Sequence, residues 1–353
     1  MMADLMDYLG KAVECGASDI FIVAGGPVCV KLDKSVTAIG EERILPDSSA
    51  ELVTAIYEKA GRPMEHFLNC GDDDFSFSVP GLARFRVNTY QQRGSMAAVV
   101  RVVAFGIPDW KEMGIPEQVM ELSEASHGLI LVTGTAGSGK STTQACIIDR
   151  INHTRECHII TMENPIEYLH RNDRSIVSQR EISIDTQDYL SGLRACLRQA
   201  PDVILLGEMR DHETIRTAMT AAETGHLIIA TLHTKGTVNT IDRIVDSFPS
   251  EQQAQVRTQL SMVLRTVVSQ QLLPGASGNL VPAFEIMHMN NAIKSLIRDN
   301  KSHQINNAIA AGANEGMLSM DQSILTLCQN GQITKDTALV YADNAEQMQR
   351  RLG

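Results

Sequence analysis

Apolar residues in the first hundred positions follow a helical period in some stretches and a strand period in others. Leu5, Leu9 and Ala12 lie on one face of a helix, and the apolar spacing predicts a second helix over 48–60. Strand patterns with turn residues between them occupy the ranges 19–23, 28–32, 74–79, 83–90 and 96–103. The mixture predicts a small α+β domain over 1–105.

A segment that contains Pro108, Gly114 and Pro116 follows this pattern, and it predicts a linker over 106–116. Beyond it, apolar runs without alternation are typical of parallel strands covered by helices on both faces; the runs are 129–132, 158–162, 203–206 and 227–231. After residue 250 the pattern favours helices, over 252–268, 291–298 and 321–329. We therefore predict an α/β domain over 117–353, with C-terminal helices from about residue 290.

Composition narrows the class of protein. The 353 residues include 43% hydrophobic residues and carry a formal net charge of −11, which indicates a globular protein and argues against nucleic acid as its main partner. The seven cysteines are scattered and form no C-x-x-C pair, so we predict reduced thiols. No apolar run approaches the roughly 18 residues that span a membrane, and the N-terminus lacks a signal-peptide pattern. We expect a cytoplasmic protein.

The most informative motif is the stretch 134–141, which fits the P-loop pattern G-x-x-x-x-G-K-[ST] between an apolar run and a helix-capable run. In such a loop the backbone amides attract phosphate, Lys140 reaches the outer phosphates and Ser141 binds Mg²⁺. A glycine-rich turn with an exposed lysine is the alternative, but it does not explain where the glycines fall. The predicted phosphate-binding residues are Gly134, Thr135, Ala136, Gly137, Ser138, Gly139, Lys140, Ser141 and Thr142.

Acidic residues follow two of the predicted buried strands. Glu208 comes just after 203–206, and we predict that it orients the attacking water in catalysis; a solvated charge at the start of the next helix is the alternative. Glu163 and Glu167 follow 158–162, and both are predicted to face the metal or the water. These acids would complete the chemistry of the phosphate loop.

Two histidines bracket the predicted strand over 227–231. His233 follows the strand, and we predict that it senses the γ-phosphate during catalysis. His226 precedes the strand and is predicted to contribute to nucleotide binding. A structural hydrogen bond is the alternative for each histidine.

The order of these motifs resembles the secretion ATPase superfamily, and within it the ATPases that retract type IV pili. The resemblance covers almost the whole chain and rests on a Walker A motif at 134–142, an Asp box at 160–170, a Walker B motif at 201–213, and a His box at 224–233 with 240–246. It implies a PAS-like N-terminal domain, a RecA-like ATPase domain, and a homo-hexameric ring with ATP at the subunit interfaces. ATP and Mg²⁺ are the expected cofactors.

The resemblance also suggests a role for three arginines of the N-terminal domain. Members of the superfamily direct N-terminal arginines at nucleotide phosphate, so Arg86 and Arg93 become candidates for catalysis and Arg101 for nucleotide binding. The alternative is that all three lie on the exposed face of a β-hairpin.

The branch of the superfamily is suggested by length and by the tail. Assembly ATPases resemble longer chains, often with a tetracysteine insert that this chain lacks, and 291–298 resembles a motif of the retraction ATPases. The apolar face of that helix either packs on its own domain or meets a partner. We expect a motor that hydrolyses ATP to power pilus retraction and twitching motility.

The expected partners are an inner-membrane platform protein and a paralogous pilus ATPase. Through the platform protein, we expect this protein to associate with the cytoplasmic face of the membrane. The alternatives are a short ATPase of pilus assembly, type II secretion or DNA uptake, and, less favoured, a RecA-like translocase of nucleic acid.

The sequence departs from the superfamily at several positions. Asn164 stands where an aspartate is usual, which bears on how the metal is organised. Phe21 replaces a histidine, and Lys294 and Ser295 alter the tail motif. The altered tail bears on retraction more than on ATP hydrolysis.

Overall fold

The computed structural model describes residues 4–32, 35–40, 42–103 and 106–353. The chain divides into two compact units. The N-terminal unit spans 1–106 and includes 167–169, and the C-terminal unit spans 107–166 and 170–353.

The described part of the N-terminal unit contains helices and one antiparallel sheet, here called the N-terminal sheet. Its elements are α1 (Leu5–Glu14), β1 (Asp19–Ile22), β2 (Cys29–Leu32), β3 (Ser35–Ala38), α2 (Pro46–Ala60), α3 (Glu65–Cys70), β4 (Asp72–Val79), β5 (Ala83–Gln92) and β6 (Ser95–Val103). Among the described residues the strand order is β3-β2-β1-β6-β5-β4. The predicted α+β composition of this region is therefore confirmed.

Alternation along the strands places one face of the N-terminal sheet in the core. Along β5, Phe85 and Val87 are buried while the residues between them are half-buried. Helix α2 adds Val53 and Ile56 to the same core. The sequence prediction missed β3 and α3; every residue of β3 is exposed, so it lacks the apolar alternation that reveals a strand.

A buried carboxylate ties helix α2 to strand β4. Asp73 accepts hydrogen bonds from the guanidinium of Arg62, at 2.9 Å for each oxygen, and from the Tyr57 hydroxyl at 3.1 Å. Burial alone would raise the pKa of Asp73, but the hydrogen bonds and charge of Arg62 outweigh it and hold this pKa below its ordinary value. The charge of Asp73 is thus compensated by residues of the N-terminal unit.

The C-terminal unit contains a larger sheet, here called the C-terminal sheet. Its strands are β7 (Gly128–Thr133), β8 (His158–Glu163), β9 (Ile176–Glu181), β10 (Val203–Leu206), β11 (Leu227–Leu232), β12 (Leu264–Pro274) and β13 (Leu280–His288). Its helices are α4 (Glu117–Met120), α5 (Lys140–Thr154), α6 (Tyr189–Cys196), α7 (His212–Glu223), α8 (Thr237–Asp246), α9 (Ser250–Val263), α10 (Asn291–Arg298), α11 (Ile305–Ala311), α12 (Met320–Gln329), α13 (Lys335–Tyr341) and α14 (Ala345–Leu352).

The strand order of the C-terminal sheet is β13-β12-β7-β11-β10-β8-β9, and the pairs are parallel except β12 with β13. Every residue of β7, β10 and β11 is buried, which confirms the prediction that apolar runs without alternation form strands covered on both faces. Because β7, β8, β10 and β11 are parallel, all four end at one edge, here called the carboxyl edge, and begin at the amino edge.

The predicted helix over 252–268 is wrong in its last five residues, 264–268. Helix α9 ends at Val263, and the chain continues at once as β12, which pairs with β7 on one side and β13 on the other. The β-branched residues Thr266, Val267 and Val268 favour a strand, and pairing along two neighbours stabilises it. Strands β9 and β13 were also missed by the sequence prediction.

The tail helix α10 packs on its own unit. Ile293 and Ile297 are buried in the main core of the C-terminal unit, and the half-buried Leu296 packs against the same core. Of the two alternatives left open by the sequence, the structure therefore shows packing. In the described parts of the chain, no helix has both the length and the apolar character required to cross a membrane.

Candidate nucleotide site

The predicted phosphate-binding residues 134–142 occupy the loop between β7 and α5 and the first turn of that helix. Gly134, Gly137 and Gly139 adopt positive φ angles of 147°, 77° and 88°, a region that only glycine enters without strain. Helix α5 begins at Lys140, and no side chain caps its N-terminus. The first amides of the helix are therefore positioned to bind an anion.

Lys140 lies within this loop rather than in solvent. Only 8% of the residue is exposed, and its ammonium donates hydrogen bonds of 2.9 Å to the carbonyl oxygens of Gly134 and Thr135. Ser141 and Thr142 are half-buried in the first turn of α5. The lysine charge and the serine hydroxyl are thus held on the same short stretch of backbone.

Gln270 of β12 supports the loop and was not predicted from the sequence. It accepts a hydrogen bond of 2.7 Å from Thr143 of α5. A Cβ atom on Gly134 would collide with the Gln270 carbonyl oxygen, and one on Gly139 would lie 2.8 Å from its side-chain nitrogen. The region around Gln270 was predicted to be mostly helical, and only its pairing with β7 in the sheet brings it to the loop.

Glu208 and His233 meet at the carboxyl edge. Glu208 follows β10 and His233 follows β11, which lie side by side, and the His233 Nε2 atom is 3.5 Å from Glu208 Oε1. Arg210 donates a hydrogen bond of 2.7 Å to the other Glu208 oxygen. Because β11 also neighbours β7, the same edge carries the phosphate loop. The structure therefore brings Lys140, Glu208 and His233 to one end of adjacent strands.

Glu163 lies at the end of β8 on the same edge. Its Oε1 atom accepts hydrogen bonds from Thr161 at 2.6 Å and from Gln179 at 3.3 Å, which fix its orientation. Glu167, the other acid predicted for metal binding, is exposed and belongs to 167–169, which group with the N-terminal unit. Its place in a metal site stays a prediction.

His226 lies at the opposite edge of the C-terminal sheet. It precedes the first residue of β11, and its backbone carbonyl accepts a hydrogen bond from Gly128 at the start of β7. Its Nδ1 atom lies 3.0 Å from the Ala221 carbonyl oxygen. The six residues of β11 span about 20 Å, so His226 cannot reach the phosphate loop of its own subunit. The predicted role of His226 in nucleotide binding stays a prediction, and it would require the site of a neighbouring subunit.

The three predicted arginines lie on β5, on β6 and in the turn between them. Arg86 and Arg101 are directly opposite each other across the pair, where like charges are unfavourable. Asp19 of β1 lies opposite Arg101 on its other side and accepts a hydrogen bond of 3.0 Å from it. Arg93 is exposed in the turn, with a φ of 48°. All three arginines lie within the N-terminal unit.

A cavity of about 490 Å³ opens beside the phosphate loop. Gly139, Thr142 and Thr143 line it on the loop side, and Leu280 and Pro282 contribute apolar surface from β13. Its volume lies in the range of sites for small molecules. The cavity therefore adjoins the residues predicted to bind phosphate, and its lining combines apolar side chains with polar ones such as Lys111 and Gln270.

A glycine-rich loop that joins a buried parallel strand to a helix, with an acid and a histidine on neighbouring strands, defines a P-loop nucleotide-binding protein. Comparison with known proteins supports this assignment. The family described as "Type II/IV secretion system protein" matches residues 1–317. The chain belongs to this family.

Individual relatives resemble the chain over most of its length. It is 42% identical to the type IV pilus retraction ATPase PilT of Pseudomonas aeruginosa over 339 residues, which cover 95% of this chain and 97% of that protein. It is 43% identical to a twitching motility protein of Neisseria gonorrhoeae, over 86% of this chain and 82% of that protein.

A crystal structure of the pilus retraction motor PilT with bound ADP matches with a TM-score of 0.89 and 43% identity, covering 99% of each chain. The predicted fold, an N-terminal α+β domain followed by a RecA-like P-loop domain, is thereby confirmed, and so is the resemblance that the motifs suggested.

Proposed function

We propose that this chain is an ATP hydrolase whose turnover powers the retraction of type IV pili and twitching motility. The observation that carries the proposal is the carboxyl edge, where Glu208 contacts His233 beside the strand that leads into the phosphate loop. The chain is similar to the retraction ATPase PilT along nearly the whole of both chains, and this similarity supports a role in the type IV pilus.

In this proposal the loop binds ATP and the neighbouring strands supply the chemistry. The backbone amides at the start of α5 and the Lys140 ammonium hold the phosphates, since both present positive charge to the same short stretch. Glu208 orients the attacking water and accepts its proton, because it is the carboxylate that follows the strand next to β11. His233 responds to the γ-phosphate through its contact with Glu208.

The residues at this edge suit a magnesium ion. Ser141 offers a hydroxyl in the first turn of α5, and Glu163 offers a carboxylate held by two hydrogen bonds, so the donors are the hard oxygen atoms that Mg²⁺ prefers. When bound, Mg²⁺ neutralises charge on the transferred phosphoryl group. We assign Ser141 and Glu163 to this ion, and Glu167 as a further carboxylate.

We further propose that the working unit is a homo-hexamer. Arg86, Arg93 and Arg101 lie on the N-terminal sheet, and charge that develops on the γ-phosphoryl group is stabilised by cations brought in from outside the loop. In a ring, one subunit's arginines complete the site of a neighbour. The corresponding domain limits are 1–105 for a PAS-like domain, 106–116 for a linker and 117–353 for the RecA-like domain.

The proposed location is the cytoplasmic face of the inner membrane, reached through a platform protein of the pilus machine. A paralogous pilus ATPase is a further proposed partner. Nucleic acid is not a proposed partner, because the net charge of −11 disfavours attraction to phosphate backbones.

Deleting the gene and complementing it with wild type or with Glu208→Gln tests the proposal. We expect the deletion strain and the variant strain to carry excess pili that do not retract, and the wild-type gene to restore twitching. Purified wild-type protein should hydrolyse ATP. A deletion strain without pili would instead indicate an assembly ATPase, and stimulation of ATP turnover by nucleic acid would indicate a translocase.

A further inference from the structure

A short segment after β11 carries His233 to the start of helix α8. We call residues 233–237 the sensor segment. Two successive backbone N–H groups of this segment donate to side chains of the neighbouring hairpin: Gly236 to the Ser269 hydroxyl at 2.9 Å and Thr237 to Glu285 Oε1 at 2.7 Å. Ser269 on β12 and Glu285 on β13 are direct register partners. Two paired side chains of the β12–β13 hairpin therefore accept hydrogen bonds from two successive amides of the sensor segment.

Glu285 is a buried acid without a role in the proposed chemistry. The residue is 5% exposed, and its Oε1 atom also accepts a hydrogen bond of 2.6 Å from the Thr237 hydroxyl. The backbone N–H of Met320 faces the same carboxylate and lowers its pKa. Glu285 thus lies between the first residue of α8 and the first residue of α12, where two helix N-termini favour negative charge.

Burial of Glu285 is unfavourable for its charge, and the fold retains it. Burial raises the pKa of Glu285, the hydrogen bonds from Thr237 and the nearby Met320 N–H oppose this shift, and the charge of Asp343 adds to it. An apolar residue of similar size would avoid this unfavourable desolvation. A buried acid at this position is therefore tolerated only because its hydrogen bonds compensate.

The sensor segment has further attachments close to the phosphate loop. Thr234 is hydrogen-bonded to Thr240 at 2.7 Å, and Thr240 donates at 3.3 Å to Thr133, the last residue of β7. Lys235 pairs with Asp343, 3.4 Å away, in the C-terminal helical region. Since His233 precedes Gly236 by only three residues, displacement of the Gly236 and Thr237 amides would displace the imidazole.

We propose that Glu285 is a positioning residue: it holds the sensor segment so that His233 stays against Glu208. The inference rests on the proposed ATP hydrolysis. Its expected signature is a loss of turnover without a matching loss of ATP binding, because Lys140 and the loop amides do not depend on Glu285.

The main variant is Glu285→Ala in the full-length protein, and the matched control is Ser323→Ala. Ser323 is buried on α12 and accepts a hydrogen bond of 3.1 Å from the Phe284 backbone on β13, next to Glu285. The control therefore removes a buried hydrogen bond of the residue next to Glu285 without touching the sensor segment. We expect kcat to fall about tenfold or more in Glu285→Ala, with KM for ATP within about threefold of wild type.

Two further variants separate positioning from loss of fold. Glu285→Gln keeps an oxygen that accepts from Thr237, so it should retain most of the turnover that Glu285→Ala loses. Thr237→Val removes only the hydroxyl donor and should lower kcat about threefold, with the melting temperature near that of wild type. If Glu285→Ala does not fold, this milder variant carries the test.

Hydrogen exchange provides a readout that does not need ATP turnover. We expect the amides of Gly236 and Thr237 to exchange faster in Glu285→Ala than in Ser323→Ala. Unchanged exchange, or unchanged kcat in a folded Glu285→Ala, would overturn the inference. An equal loss of kcat in the Ser323→Ala control would do so as well. A wild-type protein that exchanges as expected but hydrolyses no ATP would contradict the proposed function and leave the positioning intact.

Discussion

The two edges of the C-terminal sheet carry similar polar residues in very different settings. At the amino edge, His226 lies 3.0 Å from a backbone carbonyl oxygen, and the ring of His158 lies 2.9 Å from the Gln199 carbonyl oxygen and 3.0 Å from the Ser178 hydroxyl. At the carboxyl edge, His233 faces the Glu208 carboxylate across 3.5 Å beside the phosphate loop. Histidines paired with nearby backbone act as structural groups, whereas a histidine that faces a charged side chain at a loop is available for chemistry.

The carboxyl edge differs also in how its backbone is held. Its phosphate loop depends on glycines with positive φ and on Gln270 beneath them, and the next segment depends on Ser269 and Glu285. Strands β12 and β13 thus support two segments of the proposed site. The predictions below separate the two edges by the size of their effects.

The largest effect is expected for Lys140→Ala. Its ammonium lies against the loop carbonyls and would meet the phosphates both before and during reaction, so the variant should lose ATP binding and hydrolysis together. Fluorescent-nucleotide titration and phosphate release measure the two losses. A variant that bound ATP normally would contradict the placement of the phosphates in this loop.

Glu208→Gln should separate binding from hydrolysis. Glutamine keeps the shape of the side chain but cannot accept a proton from the attacking water, so turnover should fall about a hundredfold or more while ATP affinity stays near that of wild type. The same two assays apply. Retention of more than about a tenth of wild-type turnover, a barrier change under roughly 1.4 kcal/mol, would remove Glu208 from its catalytic role.

The two histidines that flank β11 provide the direct comparison of the edges. His233→Ala should lower kcat roughly 10- to 100-fold, a barrier change of about 1.4–2.7 kcal/mol, because it removes the side chain that faces the Glu208 carboxylate. His226→Ala serves as the matched control, with kcat within about twofold of wild type and a lower melting temperature. Equal losses of kcat in the two variants would erase the distinction between the edges, and would place His226 in a neighbouring subunit's site.

The smallest effect concerns Asp73, a satisfied charge in the N-terminal unit. Asp73→Asn should lower the free energy of unfolding at pH 7 by about 1–3 kcal/mol, since it weakens hydrogen bonds to the charged Arg62. The folded-state pKa of Asp73 lies below its unfolded value, so its stabilisation is present above about pH 4 and is lost as the pH falls through the folded pKa.

Urea unfolding of wild type and Asp73→Asn at pH 7 and at pH 3 checks this expectation. The difference between the two proteins should shrink at the lower pH. A constant difference would show that the carboxylate charge contributes nothing to stability.

The sequence by itself determined the features that lie within one continuous stretch of chain. The phosphate loop at 134–142 and the apolar strands β7, β10 and β11 were all predicted, because glycine spacing and unbroken apolar runs report local backbone and burial. The order of the parallel strands then placed Glu208 and His233 at the same edge, as expected for residues that follow buried strands.

Only the tertiary structure decided what depends on partners distant in the chain. Residues 264–268 form a strand rather than the end of a helix because β7 and β13 offer their backbone groups on both sides. Their pairing brings Gln270 to the phosphate loop and Glu285 to the sensor segment, contacts that join residues 127 and 48 positions apart. Local periodicity indicates which face of a helix or strand is buried. Which strand lies beside another in a sheet is set by the free energy of the whole fold.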